Sequence, residues 1–253
     1  MRVEQVYRYP VKGLTAEALD SVELRPGAML PWDRAFALAQ GDAPFDPAQP
    51  RFLHKRNFLC LMAHAEAAAI RAAFDARTGL LTLAAPGQPA ITAHAFTAKG
   101  QGQIALYLTR FLGHAARGTP RFHHVPGHHF ADESEPYLSI VGEATLRDLE
   151  RRVGAPRERL RFRANLYISG AAPWAELDWI GQELQIGGAR LRIERRIPRC
   201  AATEVNPATA VRDAKPVREL RDLFGHTDLG VYGRVIDGGT VAPGSGVELL
   251  GPE

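Results

Sequence analysis

A chain of 253 residues, 45% of them apolar, is long enough to bury a substantial core as one large domain or two small ones, and two are expected. Its 31 basic and 28 acidic residues leave a formal net charge of +3 with arginines dispersed among acids, clustering modestly at 157–163 and 190–199, which is too sparse for a nucleic-acid surface. Two cysteines make no disulfide framework, no apolar run approaches the ~20 residues a bilayer requires, and Met1-Arg2-Val3-Glu4-Gln5-Val6 lacks a signal-peptide pattern, so a cytoplasmic location without a membrane partner is expected.

In chain order, Val22 and Leu24 alternate with polar neighbours before the Pro26-Gly27 turn, and Ala35 to Ala39 predicts a second strand. Cys60 sits in the apolar run Phe58-Leu59-Cys60-Leu61-Met62, as expected of a buried small hydrophobe. Met62 to Ala76 is alanine-rich and suits a helix, and Leu80 to Leu83, after Thr78-Gly79, predicts a strand. Ile104, Leu108, Phe111 and Leu112 recur at helical spacing before Gly113. From Gly113 to Pro136 periodicity gives way to Gly, Pro, His and acids, which predicts a domain boundary near residue 118.

Leu146, Leu149 and Val153 mark one face of a helix ended by Gly154, and Leu166-Tyr167-Ile168 predicts a buried strand. Leu184 and Ile186 before Gly187-Gly188, with Leu191 and Ile193 after it, predict a β-hairpin whose second strand runs towards Cys200. A short helix around Glu219 to Phe224, a second hairpin at Asp237-Gly238-Gly239 and a closing strand Val247 to Leu250 complete the expectation. Regular β-helix-β alternation and a glycine-rich phosphate loop are both missing, which argues against a Rossmann or P-loop enzyme.

Three groups of residues carry candidate chemistry. His123, His124, His128 and His129 are close in sequence, but adjacent histidines around Pro126-Gly127 are poorly spaced for a tetrahedral zinc site. A nucleophilic pairing of Cys200 with His226 is conceivable by residue type alone. Cys200 itself follows Arg195, Arg196 and Arg199, and cations favour the thiolate that acts as nucleophile and soft-metal ligand. The competing reading is an inert strand-end cysteine. With no second cysteine nearby, a zinc or iron-sulfur centre is not expected; a lone thiolate among arginines suits a metal whose other ligands come from an anionic organic cofactor.

An ordered set of motifs gives that idea a family. Tyr9-Pro10-Val11-Lys12-Gly13, Trp32-Asp33-Arg34, Arg161-Phe162-Arg163-Ala164-Asn165-Leu166, Trp174-Ala175-Glu176-Leu177-Asp178-Trp179, Arg199-Cys200 with Thr203 and Asn206-Pro207, and Gly230-Val231-Tyr232 follow one another along the chain. In this order the chain resembles the MOSC superfamily, named for the molybdenum cofactor sulfurase C-terminal region, in the version preceded by its own N-terminal β-barrel domain. The resemblance implies a mainly β fold with a few helices, an N-terminal domain over residues 1–117 and a MOSC β-barrel over 118–253. In the branch of amidoxime reducers it further implies a molybdenum-molybdopterin cofactor. Cys200 would then be catalytic and ligate molybdenum, while Lys12, Arg34, Arg163, Asn165, Arg199 and Tyr232 would hold the pterin and its phosphate, with Ser139 adding a contact.

Three positions depart from the family pattern: Gly13 stands where serine is usual, Pro198 precedes Arg199-Cys200 where the amidoxime reducers have serine, and Asn206-Pro207-Ala208-Thr209-Ala210 replaces Asp-Pro-Asp-Thr-Gly. The expected function is reduction of small N-hydroxylated compounds, with electrons from a separate donor protein because no ferredoxin-like domain follows within these residues. The alternative is a module that carries molybdenum cofactor, or sulfur as a persulfide on Cys200, to other enzymes. A third reading is a non-catalytic β scaffold whose basic groove binds an anionic partner.

Overall fold

The computed structural model describes residues 1–251. The N-terminal half runs β1 (Arg2–Arg8), β2 (Glu17–Leu19), β3 (Val22–Leu24), β4 (Phe36–Ala39), β5 (Arg71–Asp75), β6 (Leu80–Ala84), β7 (Ile91–His94), α1 (Ala98–Leu112) and β8 (Arg121–His124). There follow β9 (Leu138–Gly142), α2 (Glu143–Val153), β10 (Leu166–Ser169), β11 (Glu183–Ile186), β12 (Ala189–Pro198), α3 (Pro216–Phe224), β13 (Asp228–Asp237), β14 (Gly239–Val241) and β15 (Val247–Leu250). The fold is mainly β with a few helices, as the sequence implies.

An eight-stranded sheet in the order β15-β11-β12-β13-β9-β10-β1-β2 dominates the structure. It curls towards closure because a bridge between Arg2 and Gly246, with Val247 N donating to Met1 O at 2.8 Å, ties β1 to the lead-in of β15. Period-2 alternation decides which side chains fill the barrel-like interior: Ile140, Leu166, Ile168, Leu191, Ile193 and Val231 face it. Their neighbours Val141 and Tyr167 point the other way and pack against Leu146 and Leu149 of α2 and Leu220 of α3. A separate core around Phe36, Phe74, Leu81, Leu83, Ile104 and Leu108 fills the space between the β4-β8 pair, the β5-β6-β7 meander and α1.

The chain crosses between these cores. The large sheet takes β1 and β2 from the N-terminal segment, and β3 pairs with β14 near the other end of the chain. Two expectations are corrected here. Met62 to Ala76 is not a helix: a 3₁₀ turn at Ala65–Ala69 leads into β5, where Ala72 and Phe74 are buried opposite Leu83 and Leu81 of β6. Pairing with β6 overrides alanine's helix preference. Nor do Asp237-Gly238-Gly239 close a hairpin, because β14 pairs with β3 rather than with β13. Gly239 makes the crossing possible: at φ +159° it passes over the Gly187-Gly188 turn so closely that a Cβ would lie 2.3 Å from Gly188 O.

Candidate cofactor site

Strand register gathers part of the expected set at one end of the large sheet. β1 runs antiparallel to β10, which is parallel to β9, which is antiparallel to β13 with Ser139 opposite Tyr232. β13 in turn pairs antiparallel with β12. The end of β1 and the starts of β9 and β10 therefore share one rim, while the end of β12 pairs with the start of β13. Lys12 lies just beyond β1, Arg163 and Asn165 just before β10, and Arg199 and Cys200 just beyond β12. All of them, with Arg34, Ser139 and Tyr232, line a single cavity of about 220 Å³.

Local bonding fixes each side chain. Tyr9 N donates to Asp33 Oδ1 at 2.8 Å, while Asp33 Oδ2 accepts from Arg34 Nη1 at 2.5 Å, so one buried carboxylate holds both the β1 exit and the Arg34 guanidinium. Burial opposes the charge on Arg34, but Asp33 and Tyr9 outweigh it and raise its affinity for the proton. Arg34 Nη2 also donates to Arg163 O at 2.9 Å, and both guanidiniums lie over the Tyr9 ring, 4.4 and 4.2 Å from its centroid. Arg34 and Arg163 both have positive φ, +49° and +51°. Such strain in two non-glycine residues on one cavity is the kind that functional sites retain.

Arg163 and Arg199 differ from the other arginines of the cavity wall. Arg163 Nη1 donates to Leu14 O at 2.7 Å, and Arg199 donates through Nε to Leu229 O and through Nη1 to Phe162 O, both at 2.8 Å. Among the described residues neither guanidinium meets a carboxylate. Burial, with Arg34 close by, pushes Arg163 down to about 10, and burial likewise lowers Arg199. Two half-buried cations answered only by carbonyl dipoles favour an anion between them.

Ser139 and Asn165 clamp the strand starts: Ser139 N and Oγ donate to Asn165 Oδ1 at 3.1 and 2.9 Å, and Asn165 Nδ2 donates to Tyr7 O at 3.2 Å. One amide hydrogen of Asn165 is left for a bound group. Tyr232 stacks on Tyr137 with centroids 5.5 Å apart, and burial raises its phenol. Thr203 donates through N and Oγ1 to Cys200 O at 3.0 and 2.9 Å, fixing the backbone that carries the thiol.

The sequence does not disclose Lys55 or Asp132. Lys55, in a 3₁₀ turn at Lys55–Asn57, places Nζ 3.4 Å from Cys200 Sγ and 3.3 Å from Asp132 Oδ2. Asp132 Oδ1 accepts from Lys12 Nζ at 2.5 Å. The cation bonded to the sulfur is thus Lys55; Arg196 turns instead to Leu177 O and Asp178, and Arg195 pairs with Glu133. Burial alone would raise Asp132, but Lys12 and Lys55 hold it well below the usual carboxylate range. Burial lowers Lys12 against the pull of Asp132.

The other candidate groups stay apart. His123 and His124 belong to β8, not to a loop; His123 packs on Phe45, and His124 on Phe36 and Phe96. No cluster of His, Cys, Asp or Glu able to hold a metal exists among the described residues. His226 packs against Trp174 and Phe224 and does not line the cavity of Cys200. Cys60 lines the same cavity wall but is buried, which raises its thiol.

Gly13 has a physical reason. At φ +83° its Cβ would lie 2.8 Å from Leu59 O, so the serine usual in the resembled pattern cannot be accommodated without displacing the Cys60 segment. Gly13→Ser is expected to lower stability by about 1–3 kcal/mol in urea unfolding without adding a cavity contact.

The MOSC domain family matches residues 126–248, and the MOSC N-terminal beta barrel domain family matches residues 1–118. The human mitochondrial amidoxime-reducing component 1 is 35% identical over 131 residues, covering 47% of this chain and 38% of that protein. The molybdenum cofactor sulfurase of Danio rerio is 37% identical over 91 residues, covering 36% of this chain and 10% of its own length. The chain therefore spans well under half the length of these curated relatives. Among solved structures, the YUAD protein from Bacillus subtilis is similar with a TM-score of 0.46 and 16% identity, over 98% of this chain and 94% of that one.

Proposed function

The chain belongs to the MOSC superfamily, with the MOSC N-terminal beta barrel domain ahead of the MOSC domain, and from that premise we propose that it binds molybdenum-molybdopterin and reduces small N-hydroxylated compounds. In this reading residues 1–117 form the N-terminal module and 118–253 the MOSC module. The observation that carries it is the company of Cys200. Its thiol shares one cavity with Arg163 and Arg199, whose guanidiniums have no carboxylate partner among the described residues.

The donor set fits such a group. A dithiolene and a phosphate bring several negative charges, and Lys12, Arg34, Lys55, Arg161, Arg163 and Arg199 outnumber the lining acids Asp33, Asp132, Glu133 and Glu135, of which Glu133 and Glu135 pair with Arg195 and Arg234. Cys200 is the soft ligand, Ser139 and Asn165 shape the wall with one amide hydrogen to spare, and Tyr232 presents an aromatic face. When bound, the cofactor would supply the two-electron chemistry that takes oxygen from an N–O bond. Overall, two electrons from a separate donor protein and two protons convert R–NHOH to R–NH2 and water. No helix of the structure is long and apolar enough to cross a membrane.

Protein purified from a host that makes the cofactor is expected to contain molybdenum and pterin in about one-to-one ratio with the chain and to oxidise a reduced viologen dye when given a hydroxylamine. Cyanide-labile sulfur on Cys200 without molybdenum would instead favour delivery of sulfur to another enzyme.

A further inference from the structure

We propose that Asp132 is a built-in competitor for the anion site: its carboxylate neutralises Lys12 and Lys55 when no ligand is bound, and an incoming phosphate-bearing anion displaces it to take both ammonium groups. This rests on the reading of the cavity as the place of an anionic cofactor, and it names how that site is regulated.

The pair is asymmetric. The Lys12 side chain keeps 6% of its exposure, whereas that of Asp132 keeps 43%. Among the described residues the Lys12 ammonium donates, apart from Asp132, to Phe130 O alone, at 2.8 Å. A buried ammonium left with one carbonyl would be strongly disfavoured, so Lys12 needs an anion at all times. Asp132 has no matching need, because water can solvate it as soon as it swings outward.

Little else holds Asp132 in place. Residues 131–134 make no backbone–backbone hydrogen bond among the described residues, and the segment is pinned by side chains: Asp132 to the lysines, Glu133 to Arg195 and Glu135 to Arg234. Asp132 also lies against the cations that the proposed cofactor requires, since Lys55 reaches both Asp132 Oδ2 and Cys200 Sγ. An anion that enters must compete with this carboxylate, and its apparent affinity falls by the fraction of molecules in which Asp132 has left. Lys12 and Lys55 thereby remain paired before loading.

Isothermal titration of inorganic phosphate into the full chain, made in a host lacking the cofactor, tests this. Asp132→Asn is expected to bind phosphate about tenfold more tightly than the wild type. Asp42→Asn removes the same charge from an exposed ion pair with Arg117 outside the cavity, and its affinity should change by less than about twofold. Equal affinity of Asp132→Asn and wild type, weaker binding, no phosphate binding by either, or equal gains in both variants would each overturn the proposal. An equal gain would show that net charge alone is at work. The cofactor reading stands or falls separately, on the molybdenum and pterin content of wild-type protein from a cofactor-competent host.

Discussion

Cys200→Ala, purified from a cofactor-competent host, is expected to retain less than about a tenth of the wild-type molybdenum while its thermal unfolding is little changed. Replacing a group that merely supports a ligand commonly lowers metal affinity 10- to 100-fold, and loss of the protein's own soft ligand is expected to cost at least that. The fold loses little, because the Cys200 side chain is half-buried at the cavity and its backbone is held independently by Thr203. Pterin content separates two roles of the site. If the arginines grip the phosphate on their own, pterin should fall less than molybdenum in Cys200→Ala. Unchanged molybdenum in the variant would remove Cys200 from the metal site and with it the proposed reductase. A matched loss in Cys200→Ser would show that an oxygen ligand cannot replace the sulfur.

The elements that sequence discloses are those whose period matches their final surroundings. β11 and β12 alternate cleanly around Gly187-Gly188, and α1 spaces Ile104, Leu108 and Leu112 on one buried face. β5 is hidden because alanine serves helix and strand alike, and only β6, on the far side of a turn, decides between them. β8 is hidden because its histidines look polar in sequence yet pack on Phe36 and Phe45.

The site divides in the same way. Lys12, Arg34, Arg163, Arg199 and Cys200 are named by the family resemblance, and the structure sets them, at the ends of strands or in left-handed turns, on one cavity. Lys55 lies in a polar stretch without periodicity, and its meaning depends on Cys200, which is distant in sequence. Asp132 is one acid among several until the fold sets it against Lys12. Contacts between side chains so far apart along the chain leave no trace in local pattern.

Arg163→Gly is expected to lose pterin by an order of magnitude or more and yet to unfold, as cofactor-free protein, at the same temperature as the wild type or higher. Each charge-assisted hydrogen bond to a phosphate contributes about 1.5–3 kcal/mol, which is roughly 10- to 100-fold in affinity. Against that, Arg163 brings the cofactor-free fold little: one bond to Leu14 O, a share of the Tyr9 ring, a left-handed backbone at φ +51° and repulsion from Arg34. Glycine removes the backbone strain and the repulsion, and its own entropic cost of about 0.5–1 kcal/mol roughly offsets the gain. Arg161, two residues earlier, supplies the contrast. It is buried, it meets Glu158 at 2.6 Å and Asp213 at 2.5 Å, and it bonds Glu204 O at 3.0 Å. Its charge is fully answered by the protein, so Arg161→Ala should lower the unfolding temperature of the cofactor-free chain. An arginine whose removal costs stability serves the fold, and one whose removal costs only the ligand serves the site. If Arg163→Gly unfolds earlier with its pterin intact, Arg163 is of the first kind and the anion site must be sought elsewhere.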